Sequence, residues 1–332
     1  MRKFKEWFLY VFFLANGLLA VVALAAIVGL LVRNSLPAFK LIGLKPFLLS
    51  VGWNPTGYQG STYGLIPMVV STLMVTIGSI AWAVPLGVAT AAYLAEMARP
   101  WEREILKPAI EGLAGVPSVV LGFFGVVVLA PVLTKVFHTA GGLNALNGSI
   151  LLGIMSLPTI IALSEEAMAA VPAGFKQASL ALGATRWQTF VRVTLPSAIP
   201  GVSSAVMLGI GRSIGETMAV LMVTGNAVAI PSSFLDSVRT MTATVAIEMG
   251  EVAYGSSHYY ALFLVGLILF LLTFGLNLTA ELVIRRGLEV TGIGPTKDRR
   301  IIPGFAKAGR AGGPGYPWDR RRQRGVEWDP GD

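Results

Sequence analysis

The chain has 332 residues, 54% of them apolar and only 13% charged, with a net charge of +8; soluble domains carry about 25% charged residues. With a mean hydropathy of +0.68, this composition excludes a soluble enzyme, a DNA-binding domain and a disordered chain, and points to a polytopic membrane protein. Cysteine is absent, which removes disulfides, thiolate catalysis and Cys-ligated metal sites.

A membrane-spanning helix needs about 20 mostly apolar residues. Six stretches qualify: Trp7–Val32, Ile66–Ala95, Pro108–Leu133, Ser149–Val171, Pro200–Val228 and Tyr259–Ile284. Alternating apolar and polar residues are missing, which argues against a β-barrel. The first stretch follows Arg2, Lys3 and Lys5 and contains an Ala23-Leu24-Ala25 triplet like a signal-peptide cleavage site. Its apolar run continues to Val32, so an uncleaved anchor helix is expected. Placing the N-terminus in the cytoplasm puts 20 Lys and Arg residues on the cytoplasmic side and five outside, with Arg212 inside a span. Basic loops face the cytoplasm, so both termini are expected there. Of the 20, 11 follow Ile284.

The segment from Arg33 to Leu65 combines turn residues (Pro46, Gly52, Asn54, Pro55, Gly57, Gly60) with aromatics (Phe47, Trp53, Tyr58, Tyr63). A short folded external cap is expected there. The connection between the fourth and fifth stretches carries two helical patterns split by Gly183. Gly183 suits the left-handed position after a helix, and Thr185 suits the N-cap of a second helix. Pro196 is expected to end that second helix. The pair leaves an apolar face exposed, which suggests a protein partner.

Gln177, Ala178, Ser179, Gly183, Val193, Leu195 and Pro196 resemble in spacing the coupling loop of ABC-importer permeases, the segment that docks an ATPase. Gln177 and Ser179 depart from that pattern, where Glu and Ala are usual; the Gln keeps hydrogen-bonding ability but removes a negative charge. This chain has no phosphate-binding G-x-x-x-x-G-K-[S/T] loop, so an ATPase would be a separate chain.

The fifth stretch carries Gly209, Gly211, Arg212, Ser213, Gly215, Glu216 and Thr217. Charges inside a membrane cost at least about 2.5 kcal/mol each and usually mark function. On a continuous helix Arg212 and Glu216 would share one face and neutralise each other. A guanidinium suits an oxyanion, and the carboxylate suits a substrate oxygen that still carries a proton. A packing-only ion pair is the alternative.

The run Gly211-Arg212-Ser213-Ile214-Gly215-Glu216-Thr217-Met218 resembles the phosphate ABC transporter permeases of PstC type. So do Ile110 to Gly122, Val84 to Gly87, Trp53-Asn54-Pro55 and Ile247 to Glu251. The resemblance covers about residues 60–286. It implies an all-α, six-helix permease with the type I ABC importer fold, in the plasma membrane of a bacterium or archaeon, and a transport subunit rather than an enzyme. The expected organisation is an anchor helix with external segment over 1–65, a permease domain over 66–286 with its coupling loop at 172–198, and a basic tail over 287–332 that departs from the family pattern. The implied partners are a PstA-like permease subunit, two PstB-like ATPase subunits that bind ATP and Mg, and a PstS-like phosphate-binding protein. This chain would bind no cofactor and no nucleic acid. Pathway residues would be Arg212 and Glu216, with Ser213 and Thr217 beside them.

Other charges are weaker candidates. Glu111 is expected near Lys107, Glu165 and Glu166 near Lys176, and Asp236, Glu248 and Glu251 outside, facing solvent or a binding protein. His138 and His258 look isolated. The tail after Arg285, rich in Gly, Pro and Arg, is expected to be disordered and to lie on anionic headgroups or anchor the topology. A permease for another oxyanion, an ATP-independent carrier and a non-transport scaffold are the competing readings.

Overall fold

The computed structural model describes residues 2–57 and 60–290. Residues up to Gly287 form one compact unit. The 291–332 part of the tail lies outside the described residues, whereas 287–290 belong to the last helix.

Helix α1 (Arg2–Leu41) begins the chain, followed by α2 (Leu44–Leu49) and an antiparallel pair, β1 (Trp53–Asn54) and β2 (Thr62–Tyr63), with Trp53 opposite Tyr63. Next come α3 (Ile66–Ala92), which runs on through a π-helical turn at Tyr93–Met97, and α4 (Pro100–Ala114). The next span is built from α5 (Ser118–Phe124), a π turn at Gly125–Leu129 and α6 (Ala130–Phe137). Then follow α7 (Ala145–Ala169), α8 (Ala173–Ala181), α9 (Arg186–Thr189), a third π turn at Phe190–Thr194, and α10 (Leu195–Gly215). The chain continues with α11 (Met218–Val223), α12 (Met241–Glu248) and α13 (Ser257–Val290).

Six helices among the described residues are long and apolar enough to cross a membrane. Several boundaries differ from expectation: α1 runs on to Leu41, past the expected end at Val32, and the third span runs to Phe137, past Leu133. The third span starts at Ser118 and not Pro108, because Pro117 disfavours helix at Val116 and the charged α4 stays outside the apolar stretch. The fifth spanning helix stops at Gly215 and not Val228. It also begins earlier, because Pro196 does not end the second coupling helix: α9 runs through its π turn into α10. Proline lacks an N–H and crowds the carbonyl four residues back, and the wider turn just ahead of Pro196 accommodates that mismatch.

Helix α7 is the centre of the bundle, with Leu151, Leu152, Met155, Ile160, Ile161 and Met168 buried against its neighbours. Small residues allow close approach. A Cβ on Gly153 would lie 2.2 Å from the Trp82 ring of α3, and one on Gly209 of α10 would lie 2.7 Å from Ile160. A Cβ on Gly215 would meet no atom within 4 Å, so of Gly209, Gly211 and Gly215 in the fifth stretch only Gly209 is closely packed. At the α3–α7–α10 junction the Ser156 and Ser213 hydroxyls lie 2.7 Å apart, and Ser79 reaches Ser213 at 3.4 Å.

At one end of the bundle, the cap end, Phe47, Trp53, Tyr63 and Leu65 pack on Met241 and on Ala261, Leu262, Leu264 and Val265 of α13. The last third of α1, through Leu31, Ala38 and Phe39, joins this cluster, while residues 7–22 of α1 are exposed. The end that carries α8 and α9 is the coupling end. Gly153→Ala should lower the melting temperature of the detergent-solubilised protein, at a cost of about 1–3 kcal/mol for overpacking. Gly112→Ala in α4, where a Cβ meets nothing within 4 Å, should leave it unchanged or slightly raised.

Candidate pathway residues and coupling loop

Arg212 occupies the last turn of α10. Glu216 does not share its helical face: its backbone is extended (φ −68°, ψ 132°) and the helix has already stopped at Gly215. The expected ion pair is absent among the described residues. The Glu216 carboxylate turns forward, and its Oε1 accepts a hydrogen bond from the Ala219 N–H at 3.3 Å, in the first turn of α11. A carboxylate there meets an N–H that the new helix leaves unpaired. Thr217 donates to the Gly215 carbonyl at 3.3 Å. Arg212 is exposed on the surface of the single subunit, whereas Ser213 next to it is buried and faces Ser156. The break therefore separates the four candidates: Arg212 outward, Ser213 into the bundle, Glu216 and Thr217 at the junction.

The cap end holds a cluster that no sequence spacing announced. The Glu248 carboxylate accepts from Trp53 Nε1 at 2.9 Å, from Arg239 Nη1 at 2.8 Å, and pairs with His258 Nε2 at 2.7 Å. Arg239 Nε also donates to the Asn226 carbonyl at 3.0 Å. One carboxylate thus ties the β1 strand, the loop before α12, α12 itself and the start of α13. His258 is not isolated, and Glu248 turns inward. Asp236 is also occupied: its Oδ2 accepts from the Ser232 hydroxyl and from the Ser232 and Ser233 N–H groups. The Ser232 hydroxyl first, then those N–H groups, hold its pKa below the usual carboxylate range.

At the coupling end, Gly183 adopts φ +84° after α8. Thr185 accepts from the Gln188 N–H at 3.2 Å while Gln188 Oε1 accepts from the Thr185 N–H at 2.9 Å, a reciprocal cap. Ser179 and Thr189 hydroxyls, 2.9 Å apart, join α8 to α9. Gln177 and Ala178 are exposed, but Leu195 and Pro196 are half-buried in the first turn of α10. Phe175 (57% exposed), Leu182 (89%) and Trp187 (60%) present apolar surface outward. The ion pairs differ from those expected. Lys176 pairs with Glu96, and Lys107 pairs with Glu165 at 2.8 Å; Glu111 stays exposed on α4. Hydrogen bonding to Glu165 pushes the Lys107 pKa up. Arg103 donates to the Leu94 and Ala95 carbonyls near the end of α3, where the helix leaves acceptors unpaired. A cleft of about 490 Å³ opens among Glu96, Lys176, Arg186, Trp187 and Phe190.

The family model for binding-protein-dependent transport system inner membrane components matches residues 83–287. The chain belongs to that family. It is 40% identical over 262 residues to a protein of Bacillus subtilis (strain 168) named a probable ABC transporter permease protein YqgH, covering 78% of this chain and 84% of the relative. It is 34% identical over 292 residues to the phosphate transport system permease protein PstC of Mesorhizobium japonicum, covering 82% and 88%. Among solved structures it resembles a bacterial ABC transporter involved in alginate import (TM-score 0.59, 15% identity, 85% of this chain and 96% of that one). It also resembles the MetNI methionine ABC transporter in an inward-facing conformation (TM-score 0.54, 20% identity, 67% and 95%). At these identities the structures establish the fold, that of ABC importer permeases. The PstC-type resemblance of the motifs extends over most of the chain, and the family is one of transport components in membranes.

Asp236 has a lowered pKa, so its hold on the 232–236 turn is complete above its ordinary value of 3.8 and is lost only as pH falls through the lower folded value. Protease resistance of this turn should therefore stay constant from pH 7 to pH 5. Asp236→Asn should reduce it at every pH, and a wild-type loss of resistance already at pH 6 would contradict the assignment.

Proposed function

We propose that this chain is the membrane-spanning permease subunit of an ATP-driven phosphate importer and forms half of its translocation pathway. The observation that carries this reading is the conjunction of Arg212 and Glu216 at a helix break within a chain 34% identical to a phosphate permease. A guanidinium exposed on the surface of one subunit suits a path shared with a second permease, here a PstA-like chain. Its planar donors match an oxyanion. Glu216 uses Oε1 to cap α11, which leaves Oε2 to accept from a protonated substrate oxygen. Ser213 contributes by holding α10 against α7 and not by touching substrate.

In this reading two PstB-like ATPase subunits bind ATP and Mg and dock on the coupling loops. This chain's loop offers Phe175, Leu182 and Trp187 as its apolar contact, framed by Gln177, Ala178, Ser179 and Gly183. A PstS-like protein delivers phosphate to the cap end. The termini lie in the cytoplasm, as the distribution of Lys and Arg favours, and the membrane is the plasma membrane of a bacterium or archaeon.

Hydrogen bonds to charged groups contribute about 1.5–3 kcal/mol, equivalent to roughly 10- to 100-fold in rate. Arg212→Ala and Glu216→Gln should each reduce ATP-driven phosphate uptake by the reconstituted complex in that range. Wild-type uptake in both would overturn the pathway assignment. Leu182→Asp should abolish co-purification of the ATPase subunit while leaving the melting temperature of the permease pair unchanged, because the side chain has few intramolecular contacts to lose. Retained co-purification would remove α8–α9 as the docking surface.

A further inference from the structure

We infer that Thr242 is a positioning residue for Glu216, and that α12 is the strut that holds the pathway carboxylate at the helix break. This rests on the pathway reading of Glu216. A helix that stops inside the bilayer leaves carbonyls without intrahelical partners, and an unpaired one is expensive in hydrocarbon. At this break the Glu216 carbonyl accepts from Thr242 Oγ1 at 2.9 Å. Thr242 lies 26 residues further along the chain and is 7% exposed.

The donor itself is fixed. A threonine hydroxyl has one hydrogen to give. Thr242 spends it on the Glu216 carbonyl, so the Thr240 hydroxyl, 3.0 Å away, donates to Thr242. Thr240 in turn accepts from the Ala243 N–H at 3.3 Å. The Met241 N–H is taken by the Thr72 hydroxyl of α3 at 3.0 Å, and Thr72 donates to the Met68 carbonyl. The first turn of α12 is buried, with Met241, Ala243 and Thr244 fully so. Its last residue, Glu248, is clamped by Trp53, Arg239 and His258. Both ends of α12 are therefore anchored. The bond to Glu216 fixes its ψ, and with it the direction in which its carboxylate leaves the backbone.

The test is phosphate uptake by the full complex in proteoliposomes, for Thr242→Val, Thr242→Ser, Glu216→Gln and the double variant Thr242→Val with Glu216→Gln. Losing one hydrogen bond should cut uptake about fivefold to tenfold in Thr242→Val, with ATPase co-purification intact, and Thr242→Ser should restore it. Because Thr242 acts through the carboxylate, Thr242→Val should cause no further loss in the Glu216→Gln background. Wild-type uptake in Thr242→Val overturns the inference. So does the same fractional loss in both backgrounds, which marks a structural role only. Wild-type uptake in Glu216→Gln removes Glu216 from the pathway, and together with wild-type uptake in Arg212→Ala it overturns the pathway reading itself; that outcome is distinct from the other two.

Discussion

Every backbone N–H and C=O inside a bilayer must find a partner within the protein, and the irregular features of this chain follow from that requirement. Two of the three π-helical turns, Gly125–Leu129 and Phe190–Thr194, lie two residues ahead of a proline, Pro131 and Pro196. Each keeps a spanning helix continuous where a missing N–H would otherwise stop it. At the end of α3 the freed carbonyls of Leu94 and Ala95 go to Arg103. At the one break in the fifth span, the Glu216 side chain serves a free N–H and Thr242 serves a free carbonyl.

Acidic groups follow a related rule. Burying a carboxylate is costly without a cation or several donors. Glu165, at 5% exposure, has Lys107; Glu96 has Lys176; Glu248 has Arg239 and His258. These pairs sit near the two ends of the bundle, where they lock loops to helices. Arg212 and Glu216 are treated differently. Neither is neutralised by the other: Arg212 stays exposed, and Glu216 turns to the Ala219 N–H.

Six spans were legible because each carries about 20 apolar residues, a signal that tertiary contacts do not alter. The turn chemistry of the coupling loop was legible too: Gly183 takes the left-handed backbone, and Thr185 with Gln188 forms the cap, since both effects act within four residues. The failures are equally local in their cause. Apolar runs flank Gly215, Glu216 and Thr217 on both sides, so a hydropathy window averages over the break, and an i to i+4 relation was assumed where the helix had ended. Pro196 reads as a stop unless the turn before it widens. The Glu248 cluster joins residues 195, 9 and 10 positions away, a separation with no periodicity to detect.

The joining of α9 to α10 has a mechanical consequence. Arg186–Gly215 is one element of 30 residues, about 45 Å long at 1.5 Å per residue. That exceeds the hydrocarbon thickness of about 30 Å, so the element is long enough to reach beyond the bilayer. It is a lever with Trp187 on its short arm and Arg212 near the tip of its long one. A tilt of about 10° about the π turn swings the long arm, about 27 Å over residues 195–212, by about 5 Å at its tip. Small angular movements imposed at the loop are thereby magnified where the guanidinium sits, with the π turn at Phe190–Thr194 setting how stiffly the two arms move together.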